Sequence, residues 1–300
     1  MTRILVAGLP RSGTTWLAEI IAAAPRVRYS FEPDNWEREP LTWSMARRLS
    51  STPDLSPGEP AERYRLLWEF GFAGGWSSQG LAAARIVHRL AADQRLPVRI
   101  RVAIYWRAAR IITRPPRNTE HHLVKTVFAC HSLEWIEAEF HPTVVLVWRH
   151  PLNLVPSWRE RGWGPDFFLG AARSIRARFE HSAMWPPPRE GFGRIAWVVC
   201  AESALLLETA HKHPDWLVVS HEGLTLDPPH GFRSLFARLG IAWPDELDRR
   251  LALTNAPGSG WETQRRWAEE PLRWREKLTA EEQREVLDLV RGFEQISPIA

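Results

Sequence analysis

Lysine is nearly absent from this chain: of 39 basic residues only Lys125, Lys212 and Lys277 are lysines. The positive charge is therefore carried by arginine, whose planar fork suits phosphate and sulfate, and the net charge of +4 is compatible with an anionic ligand. No basic run interleaved with aromatics occurs, so nucleic acid is not an expected partner. Cysteine is scarce as well. Cys130 and Cys200 sit in apolar runs and read as reduced, buried thiols, which argues against a disulfide framework or a thiolate metal site. No apolar stretch is long enough for a membrane span, and the first ten residues lack a cleavage site. A cytoplasmic protein without a membrane span is expected. No internal repeat appears, and nothing sets an oligomeric state.

What is present is ordinary globular material: 300 residues with 44% hydrophobic content, enough to bury a large core. A single domain over residues 1–300 is expected, with a helical insertion at about 34–118. Short β-branched runs at Arg3–Gly8, Val27–Phe31, Leu123–Ala129, Thr143–Trp148 and Leu217–Ser220 read as buried strands. Helical periodicity marks Thr14–Ala24, Leu81–Arg95, Ser132–Phe140 and Gly193–His213, then Gly231–Leu239, Asp245–Leu253 and Thr279–Glu294. Thr279 and Glu282 form a candidate capping box for the last of these. The run Pro186-Pro187-Pro188 reads as a rigid connector. Alternating strands and helices predict an α/β fold with a central parallel sheet flanked by helices.

The first strand empties into Gly8-Leu-Pro-Arg-Ser-Gly13-Thr14-Thr15, which opens a helix. Backbone N–H groups at such a junction can cradle a phosphate. The spacing of Gly8 and Gly13 imitates the P-loop of nucleotide triphosphatases, but Thr14 stands where that motif requires lysine. A glycine-bounded turn made for geometry alone is the other reading. Further on, Thr143–Trp148 runs into Arg149-His150-Pro151, and Ser157 follows six residues past the proline on a helix. Arg149 thus falls at a strand's C-terminal end, where open α/β sheets bind ligands, and Ser157 about two helical turns beyond.

The string Pro-Arg-Ser-Gly-Thr-Thr-Trp resembles the 5′-phosphosulfate loop of sulfotransferases that use 3′-phosphoadenosine 5′-phosphosulfate (PAPS) and release 3′-phosphoadenosine 5′-phosphate (PAP). That resemblance implies a P-loop-like sulfotransferase fold and assigns Arg11, Ser12, Gly13, Thr14, Thr15 and the adjoining Trp16 to the donor nucleotide. Arg149 and Ser157 resemble the family's 3′-phosphate segment. Leu217–Pro228 is similar to a family strand that ends in an aromatic-Glu pair. His221 stands here where tyrosine is frequent, implying an adenine contact, while Glu222 reads as a capping or pairing residue. Arg265-Arg266-Trp267 resembles the C-terminal loop that closes over the nucleotide, which implies a 3′-phosphate contact for Arg265 or Arg266. The cytosolic branch's Arg-Lys-Gly string is absent. A surface-charge reading of these two arginines stands beside that assignment.

Sulfuryl transfer needs in-line positioning and charge stabilisation at the leaving oxygen, which Arg11 and the loop amides can supply. No carboxylate pair is placed to hold a metal, so none is expected. The acceptor, a small molecule with a hydroxyl or amine, must lose a proton to a base. Glu32, after the second strand in Phe31-Glu32-Pro33, resembles the glutamate base of branches with arginine in the phosphate loop; a turn carboxylate paired with an arginine is the alternative. Lys125 is the candidate contact to the sulfuryl or bridging oxygen, against a snorkelling strand-end lysine. The cytosolic branch's Lys-Thr-His is here Lys125-Thr126-Val127, which lacks the histidine, and His131 is the reserve base. Seventeen tryptophans suit an aromatic or lipid-like acceptor. Two other functions stay open: an ATP-dependent small-molecule kinase, opposed by the missing loop lysine, and a non-catalytic nucleotide-binding protein.

Overall fold

The computed structural model describes residues 1–35, 52–74, 97, 100, 118–163, 173–258, 262–293 and 296. Strands β1 (Thr2–Ala7), β2 (Val27–Phe31), β3 (His121–Lys125), β4 (Thr143–Trp148) and β5 (Leu217–Ser220) form a parallel sheet in the order β2-β3-β1-β4-β5. Parallel strands are covered on both faces, which is why they read as continuous apolar runs rather than as alternation. Two compact units are distinguished, residues 1–6 with 25–143 and residues 7–24 with 144–300.

In the first unit β3 lies between β1 and β2, with Val6 and Phe31 both in register with Lys125. Helices α2 (Glu62–Phe72) and α3 (Leu133–Phe140) belong to this unit; Helix α1, of the second unit, spans Thr14–Ala22. The aromatic faces of α2 and α3 interlock: Tyr64 is edge-on to Trp68, and Trp135 packs against both Tyr64 and Phe140. Burial of the Trp135 ring leaves its Nε1–H to be satisfied, and it donates to the Glu59 carbonyl at 2.9 Å. The helix α2 falls within the expected insertion, whereas the helix expected at 81–95 lies outside the described residues.

One strand boundary departs from expectation. β3 covers His121–Lys125 rather than Leu123–Ala129, because Thr126 turns the chain. Its hydroxyl donates to Asp34 and accepts from the Phe128 N–H at 3.0 Å, a side-chain turn that competes with the strand ladder. Apolar content extended the reading past the point where that hydroxyl stops the strand.

In the second unit β4 and β5 pair from Val145 opposite Leu217 to Trp148 opposite Ser220. Among the described residues the helices between β4 and β5 are α4 (Pro151–Glu160), α5 (Arg173–Phe179) and the 22-residue α6 (Gly191–Lys212). After β5 come α7 (His221–Leu226), α8 (Pro228–Leu239), α9 (Glu246–Ala252), a 3₁₀ turn at Trp267–Leu272, α10 (Trp274–Lys277) and α11 (Ala280–Gly292). α6 packs on α4 and α11, and Trp158 and Trp197 are fully buried. α8 begins three residues before the expected Gly231, since the Asp227 side chain accepts from the His230 N–H at 3.2 Å and Pro228 supplies a helical first residue. The capping box of Thr279 and Glu282 is present, and the proline run lies between α5 and α6. Cys130 and Cys200 are both buried. No helix among the described residues is long and apolar enough to cross a membrane.

Candidate active site

Gly8 follows β1 with its α-carbon pressed against the Val147 carbonyl and the Ser12 hydroxyl, so a Cβ there would collide with backbone. Only glycine fits, and the loop is drawn onto the end of β4 within the second unit. Ser12 closes the turn by donating its N–H to the Leu9 carbonyl at 3.0 Å. Arg11 and Gly13 both take the left-handed region, at φ +72° and +95°. That conformation is free for glycine and costs an arginine about 1 kcal/mol, an outlay typical of functional loops.

The loop ends at the first turn of α1, which has neither a side-chain cap nor an acidic residue. Its leading N–H groups are therefore left for an anion. The Ser12 hydroxyl is buried with no hydrogen-bond partner among the described residues. These features fit a phosphate or sulfate group.

Three residues from two separate sequence motifs meet here. Arg11 donates from Nε to the Ser157 hydroxyl at 3.2 Å, and Arg149 donates from Nη1 to the Arg11 carbonyl at 2.9 Å. Trp158, one residue on, holds the Pro10 carbonyl at 2.9 Å. The Arg11 guanidinium is pushed down to about 10 by burial and by the neighbouring Arg161, Arg265 and Arg149 charges. Crowded cations of this kind are stabilised by a bound anion.

Arg149 also donates from Nη2 to Glu270 at 2.8 Å. The other oxygen of Glu270 accepts from Arg273 at 2.8 Å, and Arg265 Nε lies 3.9 Å from it. The two candidates of the C-terminal loop are thereby separated. Arg265 is mostly buried beside Glu270, whereas the Arg266 side chain is 60% exposed and pairs with Glu269 at 3.1 Å. Glu222 is structural, as expected: it accepts from the His150 N–H and from Asn153 at 2.8 Å, capping the start of α4.

His221 opens α7 and lays its ring edge against Gly13, where a Cβ would strike His221 Cδ2. Burial, with Arg149 and Arg265 nearby, holds its imidazole well below the ordinary histidine range, so it is neutral. Trp16 is edge-on to His221 at 6.0 Å and donates to the Thr254 hydroxyl at 3.0 Å. Thr14 is buried and Thr15 half-buried in the first turn of α1.

The remaining candidates belong to the first unit. Lys125, the last residue of β3, is buried and forms an ion pair with Glu32. Its ammonium also lies 4.9 Å from the centre of the Phe31 ring. The partner of Glu32 is therefore this lysine. Glu32 itself has φ +42°, and its second oxygen accepts from Asn35 at 2.6 Å. Nearby Asp34 is pushed up to about 7 by burial, with Glu32 adding to the shift. His131 is buried before α3, its carbonyl accepting from the Leu55 N–H at 3.2 Å.

Sequence reasoning missed Asp34, Glu270 and Arg273. Asp34 sits in a Glu-Pro-Asp-Asn turn that reads as solvated punctuation. Glu270 and Arg273 lie in an alternation of acids and arginines that looks like exposed surface. The only signal was their nearness in sequence to Arg265.

A parallel sheet whose first strand leads into a glycine-bounded, arginine-bearing loop defines an α/β protein with a loop of the kind that can take an anionic group. The sulfotransferase family model matches residues 3–245; the chain belongs to that family and is a sulfotransferase. No curated protein matches. Among solved structures, a sulfotransferase domain from the curacin biosynthetic pathway is 14% identical, over 96% of this chain and 97% of that one, with a TM-score of 0.49. Mouse sulfotransferase SULT7A1, complexed with PAP, is 12% identical over 100% of this chain and 89% of its own, with a TM-score of 0.46. The sulfotransferase domain of the Synechococcus PCC 7002 olefin synthase is 14% identical over 98% and 94%, with a TM-score of 0.46.

Proposed function

We propose that this enzyme moves the sulfuryl group of PAPS to a hydroxyl or amine of a small-molecule acceptor. The observation that carries the reading is the meeting of Arg11, Arg149 and Ser157 at the loop, with Arg11 held to Ser157 at 3.2 Å and Arg149 to the Arg11 carbonyl at 2.9 Å. In this reading the loop from Arg11 to Thr15 binds the 5′-phosphosulfate, and Arg149 with Ser157 binds the 3′-phosphate. Arg265 is preferred to Arg266 as a further phosphate contact, because it is the one gathered beside Arg149's partner Glu270. Trp16 and the neutral His221 form an aromatic edge suited to the adenine.

Glu32 is assigned the acceptor's proton, and Lys125, its ion-pair partner, the charge on the transferring group. His131 is held in reserve as a base. Arg11 supplies the electrostatic stabilisation of the leaving phosphate oxygen, so the chemistry requires positioning and charge rather than a covalent intermediate. Two buried cysteines and no cysteine-rich framework suit the reducing cytoplasm, where we place the enzyme.

Calorimetric titration with PAP, beside ATP with magnesium, tests the reading. Micromolar PAP binding that Arg11→Ala and Arg149→Ala each weaken at least about tenfold supports it. Tighter binding of ATP, or no PAP binding at all, overturns it. In an acceptor screen, Glu32→Gln should abolish most turnover and leave PAP affinity within a small factor of wild type; equal turnover removes Glu32 from the mechanism.

A further inference from the structure

Glu270 is an acid where a phosphate site would be expected to hold only bases. Its side chain is 5% exposed, and both oxygens are used, Oε2 by Arg149 and Oε1 by Arg273, each at 2.8 Å. Arg265 Nε stands 3.9 Å from Oε1. One carboxylate therefore serves three guanidinium groups, Arg149 from the end of β4 and Arg265 and Arg273 from its own C-terminal segment, and even with Glu222 at 4.0 Å from Arg149 counted the cluster stays net positive. A buried carboxylate is retained only when paired, and buried like charges do not gather without a counter-charge. The balance at Arg265 shows this, since burial, Arg273 and Arg149 all oppose its charge while Glu270 favours it.

Arg149 is not used up by these contacts. A guanidinium has five N–H groups. One goes to the Arg11 carbonyl and one to Glu270, while its Nε–H makes no hydrogen bond among the described residues and lies 4.0 Å from Glu222. The carboxylate thus fixes the plane of the guanidinium and still leaves donors for a ligand. A planar fork held from one side is pre-organised for an anion on another. Glu270 is itself positioned through the 3₁₀ turn, where the neighbouring Pro271 carbonyl accepts from Asn153 at 3.2 Å.

We propose that Glu270 is a positioning residue for the donor's 3′-phosphate: it gathers Arg149, Arg265 and Arg273 into one dianion site and so sets the preference for a 3′-phosphorylated nucleotide, with Arg273 as a further phosphate contact. This inference rests on the reading of Arg149 as the 3′-phosphate residue. The net positive charge of the cluster suits a phosphate, and it is dispersed if the arginines are allowed to separate.

The test is a pair of titrations, PAP and AMP, on wild type, Glu270→Gln, Arg273→Met and the exposed control Glu269→Gln. Comparing the two nucleotides isolates the 3′-phosphate, which a merely structural role would not single out. Glu270→Gln should weaken PAP about tenfold to a hundredfold and change AMP by less than threefold, with Glu269→Gln like wild type. Arg273→Met, at a side chain that is 37% exposed, should weaken PAP about tenfold with AMP again unmoved, and it serves if the Glu270 variant does not fold. A wild type that prefers PAP, with variants whose PAP-to-AMP ratio is unchanged, overturns this inference alone. Tighter PAP binding by Glu270→Gln also overturns it, since the carboxylate would then compete with the phosphate. A wild type without preference for PAP over AMP sinks both this inference and the 3′-phosphate reading beneath it.

Discussion

Arg149 holds the main-chain carbonyl of Arg11 at 2.9 Å, so the side chain at the end of β4 fixes the loop residue that stands at φ +72°. One guanidinium does this and meets Glu270 at the same time. Lysine offers a point charge without the fork. Arg149→Lys should therefore lose one of the two contacts and weaken PAP binding about tenfold or more, with a lower melting temperature. Calorimetry and a thermal melt check both parts; full affinity in the lysine variant would show that geometry at this position is dispensable.

Gly13 carries a second expectation. Its φ of +95° and its contact with the His221 ring both penalise a side chain. Gly13→Ala should destabilise the protein by about 1–3 kcal/mol and impair PAP binding. Because the ring is one of the two causes, adding His221→Ala should recover part of the loss. A double-mutant cycle in urea measures the coupling, and strict additivity would remove the steric explanation.

The ion pair of Lys125 and Glu32 is buried on both sides, with side chains 3% and 9% exposed. Removing the lysine takes away the counter-charge of a buried carboxylate, at a cost of about 3–5 kcal/mol. Lys125→Met should show that loss, and Lys125→Met with Glu32→Gln should be the more stable of the two variants. Denaturant midpoints decide it; a double variant less stable than Lys125→Met would contradict the pairing.

Asp34 makes stability depend on pH. Burial raises its carboxyl from 3.8 to about 7, so the folded state binds the proton more tightly than the unfolded chain does. The associated stability is complete below about pH 4 and is lost as pH rises through about 7. Asp34→Asn keeps an acceptor for the Thr126 hydroxyl and removes the titration. Relative to that variant, wild type should lose roughly 2–4 kcal/mol between pH 4 and pH 8 in urea titrations. Parallel pH profiles for the two proteins would refute a buried, titrating Asp34.

The candidate site was proposed from the sequence because its signals are short. Gly8 and Gly13 mark a strand-to-helix turn within six residues, and Arg149 and Ser157 lie within one strand end and one helix. The boundary of β3 was not legible, since the Thr126 hydroxyl that ends the strand acts through Asp34, 92 residues away. Choosing between Arg265 and Arg266 was equally beyond the sequence. They are adjacent in it, and only packing buries one and exposes the other.

By itself the sequence determined the alternation of strand and helix and the glycine-bounded turn after β1, because periodicity and turn chemistry are properties of neighbouring residues, while the family was reached through the resemblance of its short motifs. The tertiary structure alone decided that Glu32 pairs with Lys125 and that Glu270 joins Arg149 across 121 residues. A carboxylate's partner depends on which distant segments are packed together and shielded from water, and no local pattern records that.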